Sequence, residues 1–191
     1  MKKSSTFKIV TAGLMAALCF VGYAFFPAIS ITGSKIHLGN AFVILGAYLL
    51  GGVYGGLSGA IGLTLADILM GYAASAPRTF ISKFLIGLIV GLIAHKIAHI
   101  SQNHEKSYVL KWSTISAVAG LAFNCVFEPV LKYVWYTLLT PDAEKADSAI
   151  KALMTITAYT TVINALINAV VAIALYQFLR PVFLKLSPKD T

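Results

Sequence analysis

The sequence predicts an all-α membrane protein of six transmembrane helices with both termini cytoplasmic, and three observations carry that prediction. Of the 191 residues, 58% are hydrophobic and 12% charged, with a mean hydropathy of +0.81, far more apolar than an ordinary globular domain. The apolar residues fall into successive segments near the ~20 residues that a helix needs to cross the hydrocarbon core. Lysine and arginine are unevenly divided between alternate loops. Laid end to end, the spans use the whole chain, 1–191, as one domain and leave no room for a separate soluble one.

The first span is read over 7–26. Its basic start, MKKSSTFK, raises a cleaved signal peptide, but FFPAISITG offers only a weak cleavage site and the apolar run is long, so the segment is expected to stay as a helix. The second, 36–50, is short, and Gly51 and Gly52 make a tight hinge into the third, 53–70. The fourth runs over 79–99, the fifth over 112–139 and the sixth over 148–179. With the N-terminus inside, nine basic residues (Lys2, Lys3, Lys8, Lys96, Lys106, Lys111, Arg180, Lys185, Lys189) face the cytoplasm and four (Lys35, Arg78, Lys145, Lys151) face outward. The net charge of +8 is mostly this topological bias, and nucleic-acid binding is not needed to explain it.

Absences narrow the function. The chain has no GxxxxGK[ST] phosphate loop, so it does not look able to hydrolyse ATP, and HExxH and GxSxG are missing too. Cys19 and Cys125 lie in apolar spans without metal-ligand spacing, and no metal site is expected. His95 and His99 of HKIAH are four apart but fall where the fourth span reaches the cytoplasm, beside Lys96, and read as interfacial residues. GGVYGGLSGAIG, with Gly87 and Gly91 on the next span, supplies small residues four apart that let helix backbones approach. TAGLMAA does the same for the first span through Ala12 and Ala16, with Gly13 and Ala17 beside them, and leaves a flat face for another helix.

Ionisable and amide side chains inside a span are costly unless paired or facing water, which makes each a candidate functional group. Asp67 and Lys83 lie at the outer ends of consecutive spans and could meet, with Arg78 in the loop between them. Asn124, Glu128 and Lys132 are spaced by four on the fifth span, where Pro129 removes a backbone donor and is expected to kink the helix. Thr157, Thr160, Thr161, Asn164 and Asn168 form a polar stripe on the sixth, and Tyr133, Trp135, Tyr136 and Tyr159 lie near the same outer ends. Together they describe a pocket open to the outside, suited to a small, polar, partly aromatic ligand. The competing reading makes Glu128 with Lys132, and Asp67 with Lys83 or Arg78, structural ion pairs.

The AxxxA-bearing first helix, the loop PAISITGSKIHLGN, the glycine-rich LGNAFVILGAYLLGGVYGGLSGAIG, LADILMGY and TFISKFLIGLIVGL resemble the substrate-binding S component of an energy-coupling-factor (ECF) vitamin transporter. The likeness is strongest over 37–94 and points to the subgroup of riboflavin, hydroxymethylpyrimidine and pyridoxine binders. It implies a non-enzymatic, multi-pass subunit of a bacterial cell membrane that captures a vitamin from outside, with the first long loop as part of the lid. A membrane coupling subunit and two ATPases would be its partners, ATP being used by them, and no cofactor is expected in this chain. The family's coupling contact maps onto Ala12 and Ala16. The substrate-binding set expected here is Lys83, Asn124, Glu128, Lys132, Tyr159, Asn164, His37 and Arg78, with Lys83 facing the ligand and Asp67 its structural partner. A small ring bearing hydroxymethyl groups, pyridoxine or hydroxymethylpyrimidine, suits these residues best; riboflavin, cobalamin and pantothenate are the other vitamins considered. Outside this class stand an intramembrane enzyme using Asp67, Glu128 or the His95/His99 pair, and a purely structural membrane subunit.

Overall fold

A computed structural model describes residues 5–25, 29–31, 34–103, 105–139 and 143–186. The chain runs α1 (Ser5–Ala24), β1 (Ile29–Ile31), β2 (Ser34–Ile36), α2 (Gly39–Leu50), α3 (Gly52–Leu69), a 3-10 turn (Ala73–Ser75), α4 (Ala76–Gly91) continued by a π-helical segment (Leu92–Ile97), α5 (Lys106–Leu139) and α6 (Ala143–Leu186). Among the described residues, five helical segments are long and apolar enough to cross a membrane: Ser5–Ala24, Gly52–Leu69, Ala73–Ile97, Lys106–Leu139 and Ser148–Leu186. The second expected span is the exception. α2 has 12 residues, starts at Gly39 rather than 36, and at 1.5 Å per residue covers only about 18 Å.

Every α2 residue except Phe42 is buried, so this helix is the axis around which the others assemble. The hinge behind it is real: Gly51 has φ +87°, a left-handed conformation that glycine adopts without a Cβ penalty. α3 then folds back on α2 and packs on α1 and α4 as well, while α5 pairs with α6. Small residues set these distances. A Cβ on Gly55 would meet the backbone of Gly46 and Ala47, and one on Gly87 the backbone of Gly56, so the stripes expected to serve packing do serve it. The flat side of α1 is used the same way: Gly62 sits against the Ala16 carbonyl, and Ala12 packs on the core.

The loop before α2 contains a short antiparallel hairpin that the sequence reading did not foresee, with Ile29 opposite Ile36, Ser30 opposite Lys35 and Ile31 opposite Ser34. α5 continues as helix through Pro129. Val10, Leu14, Val126, Val130, Leu166 and Val170 are exposed, whereas Asp67, Lys83, Asn124 and Asn168 are buried. That inversion is what hydrocarbon surroundings select, because a polar group there must find its partner inside the bundle.

Candidate functional site

The buried polar groups converge at the end of the bundle where the hairpin, the last turn of α3 and the first turns of α4 meet the middle of α5 and α6. They line a partly open cavity of about 110 Å³. Seven of the eight expected residues line it: His37, Arg78, Lys83, Asn124, Glu128, Lys132 and Asn164. The eighth does not. Tyr159 is 70% exposed on the outer surface of α6, because at about 100° per residue it lies roughly 200° from Thr157 and so opposite the inward stripe.

Glu128 is the hub. Arg78 Nη1 donates to its Oε1 at 2.5 Å, and Ser82 Oγ and Lys83 Nζ approach Oε2 at 2.6 and 3.5 Å. Ser82 Oγ also lies 2.9 Å from Asn124 Oδ1. A hydroxyl carries one proton, and the ionised carboxylate is the stronger acceptor; the network is satisfied when the Asn124 amide turns so that Nδ2 donates to Ser82 Oγ.

Two expected pairings are replaced. Asp67 does not pair with Lys83 or Arg78: it accepts from Tyr23 Oη at 2.8 Å and Thr79 Oγ1 at 2.5 Å, and both cations turn to Glu128 instead. Glu128 and Lys132 do not form the expected pair on α5. A step of four residues drifts about 40° around a helix. Glu128 therefore faces α4, while Lys132 reaches α6 and donates to Thr157 Oγ1 at 2.8 Å. On α6, Thr157, Thr160 and Thr161 donate their own hydroxyl protons to helix carbonyls at 2.7–3.0 Å, which leaves their oxygens as acceptors on the cavity wall.

Asn164 and Asn168 hold the hairpin side of the cavity. Asn164 accepts from the His37 N–H at 2.9 Å and donates to the Lys35 carbonyl at 2.8 Å. One turn further on, Asn168 accepts from the Ala41 N–H at 2.7 Å and donates to the His37 carbonyl at 2.9 Å. Two side-chain amides thus read the backbone of residues 35–41 much as a neighbouring strand would. Asn164 is engaged with the chain itself rather than offered whole to a ligand.

His37 accepts from the Gly39 N–H at Nδ1, 3.0 Å away, so its neutral form carries the proton on Nε2. Lys35 lies 4.6 Å over the Tyr23 ring. Beyond the expected set, Tyr23, Lys35, Asn40, Tyr72, Thr79 and Thr161 also line the cavity. The run RTFISK carried the signal for Thr79 and for Ser82, hydroxyls flanked by two cations in an apolar helix; nothing in the sequence singled out Tyr23 or Asn40.

His95 Nε2 donates to the Ala47 carbonyl at 3.0 Å and His99 Nδ1 to the Ile97 carbonyl at 3.2 Å. No group of three or more metal-ligating side chains occurs among the described residues. Compared with known proteins, residues 3–181 match the model of the family described as ECF-type riboflavin transporter, S component. No curated protein and no solved structure matches the chain.

Proposed function

The chain belongs to the family of ECF-type riboflavin transporter S components, and from that premise we propose that its cavity captures a single-ring vitamin, of the pyridoxine or hydroxymethylpyrimidine kind, from outside the cell. Members of this family are vitamin-binding membrane subunits of transporters, not enzymes, and work with a membrane coupling subunit and ATPases. In the proposal the chain crosses the membrane six times with both termini cytoplasmic, and α2 is extended outward by residues 34–38. The nine-to-four division of basic residues supports that orientation. Ala12 and Ala16, half-buried, flank an exposed strip of Val10, Gly13, Leu14 and Ala17, which supports α1 as the face that meets the coupling subunit.

The observation that carries the choice of ligand is the size and chemistry of the cavity. A volume of about 110 Å³ is below the roughly 150 Å³ that admits benzene and well under the roughly 300–1,000 Å³ that drug-sized ligands occupy, so the walls must open for any vitamin and least for a single ring. Its wall carries both donors and acceptors, together with the aromatic residues Tyr23, His37 and Tyr72. A six-membered ring with hydroxymethyl arms can use these groups with the smaller expansion, whereas three fused rings with a polyol tail need far more room.

Riboflavin remains the second reading because the matching family carries its name. Calorimetric titration of the purified chain with pyridoxine, hydroxymethylpyrimidine and riboflavin separates the two. The proposal expects a single-ring compound to bind at least tenfold more tightly than riboflavin (about 1.4 kcal/mol); the reverse order would overturn it.

A further inference from the structure

The cavity wall is unbalanced in charge. Among the described residues, Lys35, Arg78, Lys83 and Lys132 line it against two carboxylates, Asp67 and Glu128. Leaving Lys132 aside, three cations still face two anions. Both carboxylates are already engaged, Asp67 by two neutral hydroxyls and Glu128 chiefly by Arg78 at 2.5 Å and Ser82 at 2.6 Å. Lys83 stands 3.5 Å from Glu128, at the outer limit of a hydrogen bond, and an ammonium has three protons to give. The contacts of Lys35 are a thioether, Met70 Sδ at 3.4 Å, and the face of Tyr23.

Two further atoms show that the wall suits a polar occupant: Asn40 Oδ1 and Arg78 Nε are buried without a hydrogen-bond partner, and both residues line the cavity. Such atoms cost free energy unless something meets them. Lys83, from α4, and Lys35, from the hairpin, both line the cavity.

We propose that the ligand turns an ionised ring oxygen, the phenolate of a 3-hydroxypyridine, toward Lys83 and Lys35. This rests on the reading of the chain as a single-ring vitamin binder and decides between its two ligand kinds. The ring hydroxyl of pyridoxine ionises readily because the protonated ring nitrogen stabilises the phenolate; hydroxymethylpyrimidine has no acidic oxygen. The same zwitterion carries an N–H donor, which suits the acceptors that the wall also holds, Asn40 Oδ1 and the α6 threonine oxygens. The anionic oxygen supplies the acceptor for which the spare protons of the Lys83 ammonium are available.

The test is calorimetric titration of the full chain with pyridoxine, its analogue lacking the ring hydroxyl, and hydroxymethylpyrimidine, repeated on Lys83→Met and Lys35→Met. Loss of the ring hydroxyl is expected to weaken binding roughly 10- to 100-fold, the worth of a hydrogen bond between charged groups, and Lys83→Met to shrink that preference to about 3-fold or less. Lys35→Met, on the hairpin outside the bundle, gives the same readout if Lys83→Met does not fold. Equal affinity for pyridoxine and the deoxy analogue, or tighter binding of hydroxymethylpyrimidine, overturns the phenolate assignment and leaves the single-ring reading standing. Binding of none of the three, with riboflavin bound, overturns both.

Discussion

Replacing Asn168 by leucine tests how the hairpin side of the cavity is held. The two side chains are close in volume and Asn168 is fully buried, so the change removes polarity and little else. It strands the His37 carbonyl and deprives the Ala41 N–H of its 2.7 Å acceptor, although that N–H keeps the Leu38 carbonyl at 3.1 Å. A buried group left without a partner costs about 1–3 kcal/mol. With one group fully orphaned and one partly, the expected loss is about 2–4 kcal/mol. This exceeds the ~0.6 kcal/mol average of interhelical hydrogen bonds in membranes, because here the partners are backbone groups that cannot turn elsewhere. Asn164→Leu strands the His37 N–H and the Lys35 carbonyl, which lies nearer solvent, so its stability loss should be smaller and its effect on ligand affinity larger. Unfolding in mixed detergent, with hydrogen exchange read over residues 34–41, measures both. Unchanged unfolding and unchanged exchange in Asn168→Leu would refute the amide clasp.

Two other outcomes are expected. Gly55→Val, whose side chain would meet the backbone of Gly46 and Ala47, should abolish folding or cost more than about 3 kcal/mol, whereas Gly13→Ala, with nothing within 4 Å of its new Cβ, should leave the melting temperature unchanged. Tyr159→Ala, on the outer surface of α6, should leave ligand affinity within about twofold in the calorimeter, equivalent to ~0.4 kcal/mol.

The cavity was legible because charge in an apolar helix is expensive, and sequence alone shows where it is tolerated. Arg78, Lys83, Asn124, Glu128, Lys132 and Asn164 stand out for that reason, and the fold brings them together. The pairings were not legible, since they depend on how far each helix is rotated against its neighbour. Contacts such as Gly56 on Gly87 fix that rotation, and they turn Asp67 toward Tyr23 and Thr79 rather than toward Lys83. Tyr159 is a different case. Its angular position relative to Thr157, Thr160 and Thr161 was available from the sequence, and depth in the membrane outweighed it. The hairpin strands, three residues each, are too short to show an alternating pattern, and α2 is apolar on all sides, which hides how little of a membrane it can cross.

The central claim, a binding subunit for a single-ring vitamin, is met most directly by mass spectrometry of the small molecule released when the purified protein is denatured. The account predicts a stoichiometric six-membered nitrogen heterocycle with hydroxymethyl groups, carrying an acidic ring hydroxyl. Stoichiometric riboflavin, or a protein that releases nothing and binds no vitamin offered to it afterwards, would contradict it.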